Sequence, residues 1–249
     1  MSQKYPGGFI TKSPPLPSGP YDTSTAKGVW TLDQAMQFKK QGLWPTAGNS
    51  APLVIGQAYQ GGFYAGQIGV SSVATHNLVI GPISSAQSTL QWKNARTATT
   101  GADSVINGPQ NTADMVAEGD STVYPAAHFC NDLVIGGYSD WYMPARNELE
   151  ICYYNLKPTT QLNNDAWGTN VNAVPARTSN YTTTIPAQTS ATDFRDTGAE
   201  DFVNTNYWTS TEYATETGSA WGKGFGIGGE SYLYKNYSYR TRAIRRIPV

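Results

Sequence analysis

The residues best suited to chemistry in this chain cluster near its end, and the chemistry they suit is recognition. From Ser219 to Tyr239 there are five Gly, four Tyr, three Ser and one Asn, thirteen of twenty-one positions. Tyrosine supplies rigid amphipathic contact area at low entropy cost, and Ser, Gly and Asn supply adaptable hydrogen bonding, the mix that antibody binding surfaces use. On this reading the candidate ligand-contacting residues are Glu212, Tyr213, Trp221, Lys223, Tyr232, Tyr234, Asn236, Tyr237, Tyr239 and Arg240. At strand spacing Tyr232 and Tyr234 share one face, as do Tyr237 and Tyr239. A surface seldom carries so many aromatics without a use. Ligand contact is one use and packing against a neighbouring subunit is the other. Trp208 reads as a core wedge, and Trp221 as either a wedge or a platform for a sugar ring.

Catalysis finds less support. The chain has only two histidines, His76 and His128. It has no Gly-x-Ser-x-Gly elbow, no His-Glu-x-x-His and no phosphate loop. Asp132 and Asp140 could pair as acid and base, but 18 acidic residues produce such pairs by chance. No catalytic residue and no cofactor is expected, and an enzyme acting on surface polysaccharide is the weakest reading. Asp140 and Glu148 are expected instead to pair with Arg240, Arg242 and Arg245, holding a helix to the last strand. Arg240 borders the tract and is the one of the three most open to a ligand. Asn163-Asn164-Asp165 is the nearest approach to a calcium loop, without the alternating carboxylates of a strong one, so no required metal is expected.

Cys130 and Cys152 sit in apolar, helix-like sequence and read as buried thiols, with a single bridge between them as the alternative. A net charge of -1 gives no general attraction to nucleic acid. No apolar run approaches a membrane span, and the first residues lack the apolar region of a secretory signal. The expectation is a protein made in cytoplasm, whose two sequons at Asn180 and Asn236 are chance matches.

Several elements must position the tract. Residues 1–50 read as an arm. Lys12 to Pro20 is Pro-rich and expected to be extended. Thr31-Leu32-Asp33-Gln34 fits a capping box that opens a short helix ended by Gly42. Trp30, Leu32, Met36, Phe38 and Trp44 are the candidate docking residues, since these aromatics would otherwise stand exposed. A disordered arm is the alternative. Residues 51–249 read as one globular domain, with strands over Gly61 to Val70 and Asn77 to Ile80. Helices are predicted over Asn111 to Glu118 with Asn111 as N-cap, over Tyr124 to Leu133, and over Ala145 to Leu156 opened by Pro144 at an N1-like position. Residues 157–203 are long, polar and rich in Thr and Asn, a length that tends to be functional. They are either a structured excursion of the binding face or a cover for a subunit contact. The end alternates like a strand, and its phase slips at Arg245-Arg246, where a bulge or strand end is expected. The order of elements implies an α+β fold with long loops.

Several motifs together resemble one family. Gly136-Gly137-Tyr138-Ser139-Asp140-Trp141-Tyr142-Met143-Pro144 with Glu148-Leu149 resembles its signature. Tyr207-Trp208-Thr209-Ser210-Thr211-Glu212, Ala220-Trp221 and Arg240-Thr241-Arg242-Ala243-Ile244-Arg245 resemble its later motifs in the right order, and Tyr59-Gln60-Gly61-Gly62 resembles its first strand. The family is the C-terminal domain of collagen-like bacterial adhesins. The resemblance implies a C-type-lectin-like fold with two helices, short twisted antiparallel strands and long loops. It extends to target proteins of diversity-generating retroelements, where the tract corresponding to Gly222 to Tyr239 is the diversified ligand surface. Those members are Asn-rich there and this chain is Gly- and Tyr-rich, so the resemblance implies the binding role and leaves active diversification open. Residues 1–50, with Tyr5-Pro6-Gly7-Gly8 and Gly28-Val29-Trp30-Thr31-Leu32, are similar to arms that begin virion proteins of tailed bacteriophages. The two resemblances imply a homotrimeric virion adhesin, attached to other virion proteins by its arm and facing a host glycan or protein.

Overall fold

A computed structural model describes Gln3–Tyr5, Gly8–Ile10, Asp33, Met36 and residues 52–249. The chain divides into two compact units, Met1–Leu53 and Val54–Val249. In the first unit, β1 (Gln3–Tyr5) and β2 (Gly8–Ile10) pair antiparallel with Lys4 opposite Phe9, a pairing the sequence did not announce. Asp33 and Met36 stand in helical backbone and Met36 is exposed. Trp30, Leu32, Phe38, Trp44 and the Pro-rich segment lie outside the described residues.

The second unit is α+β. One sheet holds four strands, β3 (Ala58–Tyr59), β4 (Gly62–Val70), β5 (Val73–Ile80) and β11 (Ile244–Pro248), in the order β11-β5-β4-β3. The other holds β6 (Gln87–Gln91), β7 (Asn206–Glu212), β8 (Ser219–Gly224), β9 (Glu230–Tyr234) and β10 (Ser238–Arg242), in the order β6-β10-β7-β8-β9. Pairing is antiparallel except between β10 and β7. The helices are α1 (Ile83–Ala86), α2 (Gly108–Glu118), α3 (Pro125–Asn131) and α4 (Arg146–Leu156). Four thus stand in this unit where the family resemblance implied two; α2 and α4 are the long pair, and α1 and α3 are short.

Local chemistry explains most of these boundaries. β4 and β5 meet through Ser71 and Ser72, both at positive φ (49° and 64°), the backbone a tight two-residue hairpin turn requires. The α2 N-cap is Asn107, four residues before the expected Asn111, because Pro109 fits the first turn, where its missing N–H costs nothing. Asn111 lies inside that helix, with its amide bonded to Ser104 O at 2.7 Å and Ser210 Oγ at 3.1 Å. α4 opens at Ala145, so Pro144 precedes the cap; Glu148 reaches back to the Ala145 N–H at 2.8 Å, half of a capping box. Gly66, at φ 122°, lets α4 close on β4: a Cβ there would lie 2.3 Å from the Asn155 amide nitrogen.

The final strand breaks at Ala243, two residues before the expected slip at Arg245-Arg246. There the chain leaves one sheet for the other: Ala243 N–H donates to Ala86 O at 2.9 Å, and its carbonyl accepts from Gly81 N. Two cores result. One packs Leu149, Cys152, Tyr153 and Leu156 of α4 against Ala65, Leu78, Ile80, Phe202 and Tyr207. The other packs Trp92, Met115, Cys130, Trp141, Trp208 and Leu233 beneath α2 and α3. Both cysteines are buried and unpaired, and burial pushes the Cys130 thiol up to about 12. Residues 157–203 carry only one short 3-10 turn, Thr192–Phe194, yet are anchored by buried Tyr181, Phe194 and Phe202.

Candidate functional site

β9 is the outermost strand of its sheet, and it pairs with β8 so that Trp221 faces Tyr232, Lys223 faces Glu230 and Ser219 faces Tyr234. Alternation puts Glu230, Tyr232 and Tyr234 on one face of β9. Half of that face is covered and half is open. At the covered end Lys223 is buried under Tyr153 and Tyr181, donating to the Tyr181 hydroxyl at 3.0 Å and pairing with Glu230 at 3.3 Å. Burial lowers the Lys223 pKa, with Glu230 opposing. Arg146, at the first turn of α4, donates its Nε to Glu230 at 2.6 Å and lays its guanidinium 3.9 Å over the Trp221 ring.

Beyond Arg146 the cover ends in an aromatic cleft. Trp167, from the long polar segment, meets Trp221 edge to face with ring centres 6.2 Å apart. Tyr213 stands edge-on to Trp221 at 5.0 Å and stacks on Tyr232 at 4.8 Å, 8° from parallel. Tyr232 is nonetheless 56% exposed, so its second ring face is open. Trp167, Tyr213, Trp221, Glu230, Ser231 and Tyr232 enclose a cleft of about 390 Å³, within the roughly 300–1,000 Å³ of small-ligand sites. Flat ring faces with a few fixed polar groups suit a ligand that has both an apolar face and hydroxyls.

The expected ligand residues therefore separate. Tyr213, Trp221 and Tyr232 meet in the cleft. Tyr234 and Tyr237 form a second exposed pair, 5.8 Å apart, and the Arg96 guanidinium lies 3.5 Å over Tyr234. Tyr239 is half-buried, packed edge-on against Trp208 at 5.1 Å. Trp208 is fully buried, as a core wedge should be. Arg240 is half-buried in β10 between β6 and β7. Asn236 offers no ligand contact at its carbonyl, which accepts from Gln91 Nε2 at 2.6 Å. Glu212 and Lys223 are corrections: both lie beneath the surface, each committed to a buried ion pair. Sequence reasoning missed Trp167, Arg146, Glu230 and Ser231. The signals were the functional length of the 157–203 segment and the Lys223–Glu230 pairing implied by a β8–β9 hairpin.

The arginine expectations hold in part. Asp140 pairs with Arg245 through two bonds of 2.7 and 2.9 Å. Glu148 pairs with Arg246, and Arg242 with Glu200. The Asn163-Asn164-Asp165 run is used structurally: the Asn163 side chain joins Tyr153 Oη at 2.8 Å and Pro186 O at 2.9 Å.

Behind the exposed tyrosines Lys235 is buried at the end of β9. Its Nζ bonds Glu212, Thr97 O at 3.0 Å and Thr99 Oγ1 at 3.3 Å, beneath the Trp92 ring. Burial lowers its pKa to about 8, against the support of Glu212. Between that value and the ordinary 10.5 the unfolded chain binds more protons than the folded one. The Lys235 contribution to stability therefore rises with pH across that window. Urea midpoints for wild type and Lys235→Met should diverge in favour of wild type as pH climbs through it. A pH-independent difference would contradict the assignment.

A model of the Lcl C-terminal domain matches residues 81–245. The chain belongs to the Lcl C-terminal domain family. The Lcl C-terminal domain match takes in every residue of the aromatic cleft, from Trp167 to Tyr232, and makes this an adhesin-like chain. No curated protein matches it. Among solved structures, a fimbrial protein from Bacteroides ovatus ATCC 8483 aligns at 15% identity and a TM-score of 0.40. That alignment covers 68% of this chain and 35% of the fimbrial chain.

Proposed function

We propose that this Lcl-family chain is a receptor-binding structural protein of a tailed-bacteriophage virion, a tail-fibre, spike or capsid adhesin rather than an enzyme. In this reading residues 1–50 dock to other virion proteins. The C-type-lectin-like domain faces outward and presents the aromatic cleft to a host-surface glycan or protein. Assembly in the host cytoplasm and display on the particle exterior follow, as does a homotrimer that multiplies a modest single-site affinity. The observation that carries the reading is the cleft itself: four aromatic rings and an ion-paired carboxylate around about 390 Å³ of open space on a sheet edge. Family membership supports it from an independent direction.

A host-adsorption assay tests the proposal. Tyr232→Ala removes the ring with an open face and should cost about 1–2 kcal/mol per site, the range of a hot-spot aromatic. Multivalent attachment amplifies such a loss, by about 10² or more in avidity where several copies engage together. Particles carrying Tyr232→Ala with Trp167→Ala should adsorb poorly, and normal adsorption overturns the reading.

The exposed Tyr234–Tyr237 pair favours a second use, packing against a neighbouring subunit, since it lies outside the cleft. If that is the whole function, the chain is a non-adhesive decoration. Particles with Tyr234→Ala and Tyr237→Ala would then lose assembly or stability while the cleft variants behave as wild type.

A further inference from the structure

The aromatic cleft opens at the free side of β9, which pairs with β8 and with no other strand. Two backbone bonds fix which of its residues face β8: Gly224 N donates to Gly229 O at 2.8 Å, and Lys235 N donates to Gly218 O at 3.2 Å. In an antiparallel pair, residues that exchange bonds alternate with residues that do not. With Gly222 opposite Ser231 and Ala220 opposite Leu233, it is Ser231 and Leu233 that bond to β8. Glu230, Tyr232 and Tyr234 aim their backbone groups outward. The Tyr234 carbonyl accepts from Tyr237 N at 3.0 Å. The N–H and C=O of Glu230 and Tyr232 and the Tyr234 N–H have no partner among the described residues.

Other sheet edges of this unit are guarded. β3 is two residues long, β11 carries Arg245 and Arg246 and ends at Pro248, and β6 is half-buried at four of its five residues. Shortness, charge, proline and cover are the means by which proteins keep an edge from pairing. β9 uses none of them. Ser231, Tyr232 and Tyr234 are exposed, and its single charge, Glu230, is held by Arg146 and Lys223.

A strand added there would send its side chains to the two faces in turn. A residue opposite Tyr232 would place its side chain in the aromatic cleft, against the open ring. Its chain neighbours would fall on the opposite face, that of Ser231 and Asn206. On that face Ile227, the glycine turn and Asn206 help line a second cleft of about 400 Å³. Glu230 and Ser231 belong to both linings, so the two clefts flank one edge from opposite sides. Backbone bonds along an edge, with pockets for alternate side chains, are how a sheet captures an extended peptide. Charge narrows the peptide. Tyrosines aside, Glu230 is the one ionisable residue lining either cleft, and it is engaged by Arg146 and Lys223. A charged side chain would enter without a free counterion.

We propose that β9 takes up an extended, uncharged segment of a protein receptor as an added strand, with one aromatic side chain seated on the open face of Tyr232. This rests on the attachment reading above and names the partner class for that same cleft.

The test uses the full chain. Amide hydrogen exchange on the free protein should find Tyr232 and Tyr234 unprotected and Ser231 and Leu233 protected. A displayed library of random heptapeptides is then selected against the protein, and the strongest binder is synthesised with blocked ends. It should carry an aromatic residue among uncharged ones, and its binding should protect the Tyr232 and Tyr234 amides. N-methylation at every second peptide residue should weaken it about tenfold per site, the loss of one hydrogen bond, while N-methylation at the intervening residues changes little. Tyr232→Ala should weaken binding about tenfold or more. Protection of Tyr232 and Tyr234 in the free chain overturns the proposal, because the edge is then already paired. A methylation profile without alternation overturns it too, as does failure of every peptide to bind. If a neutral polysaccharide from the host cell surface binds instead, and particles carrying Tyr232→Ala with Trp167→Ala fail to adsorb, the partner is a glycan and the attachment reading stands. Normal adsorption by those particles removes both.

Discussion

Replacing Glu148 by alanine is expected to cost about 3–5 kcal/mol, the penalty for breaking a buried charge network by removing one partner. Glu148 is completely buried at the first turn of α4. One carboxylate oxygen accepts from the Gly108 N–H at 3.1 Å and the Ala145 N–H at 2.8 Å. The other accepts from Tyr142 Oη at 2.6 Å and Arg246 Nε at 2.7 Å. One side chain thus ties the start of α2, the cap of α4, the signature segment and β11. Gly108 permits this approach, since a Cβ there would sit 2.4 Å from the carboxylate. Burial pushes the Glu148 carboxyl up from its ordinary value, with Arg246 as the main opposing influence. Removal orphans two backbone donors, a phenol and a guanidinium together. For a unit of this size the thermal midpoint should fall by roughly 10 °C. Glu148→Gln keeps the volume but not the charge and should fall between the two. A loss below about 1 kcal/mol for the alanine variant would contradict the assignment.

Arg242→Met should be comparably damaging, at about 3–5 kcal/mol. The Arg242 guanidinium is fully buried, donating to Gly81 O at 2.8 Å and Glu200 O at 2.9 Å while pairing with the Glu200 carboxylate. It lies 4.8 Å over Phe202 and 5.5 Å over Phe194. Burial lowers its pKa to about 10, against Glu200. Glu200 also accepts the Ile83 N–H at 2.8 Å, so the pair fastens α1 and the long polar segment to β10. Methionine fills the stem but strands the Glu200 carboxylate. Arg242→Lys recovers only part of the loss, because one ammonium cannot reproduce the planar fork. The double variant Arg242→Met with Glu200→Gln should be less unstable than Arg242→Met alone, since no charge is left unpartnered. Equal denaturation midpoints for the two would show that the pair is not the source of the stability.

Both predictions concern residues in motifs that were conspicuous in the sequence, and they mark how far the sequence reached. That Asp140 and Glu148 would meet C-terminal arginines was legible, and Asp140–Arg245 forms as expected. The partner of Glu148 was not, because the strand breaks at Ala243 when the chain changes sheets, which resets the alternation that assigns each arginine to a face. The same limit governs the tract. Trp221 and Tyr232 from it and Tyr213 just before it meet in the cleft, but Lys223 and the nearby Glu212 read as surface groups and are buried. Composition reports the kind of surface a segment suits and not the depth at which each residue lies.

By itself the sequence determined the α+β class, the adhesin-like family and the aromatic tract from which part of the cleft is built, because side-chain type and short-range periodicity are local properties of the chain. Only the tertiary structure decided which tyrosines line a cleft and which pack against the core. The cleft needs Arg146 to reach Glu230, 84 residues away, and Trp167 to meet Trp221 across the sheet edge. Such contacts depend on where residues 157–203 stop covering the β8–β9 face, a boundary set by the packing of Tyr181, Phe194 and Phe202 in the core and by no local signal.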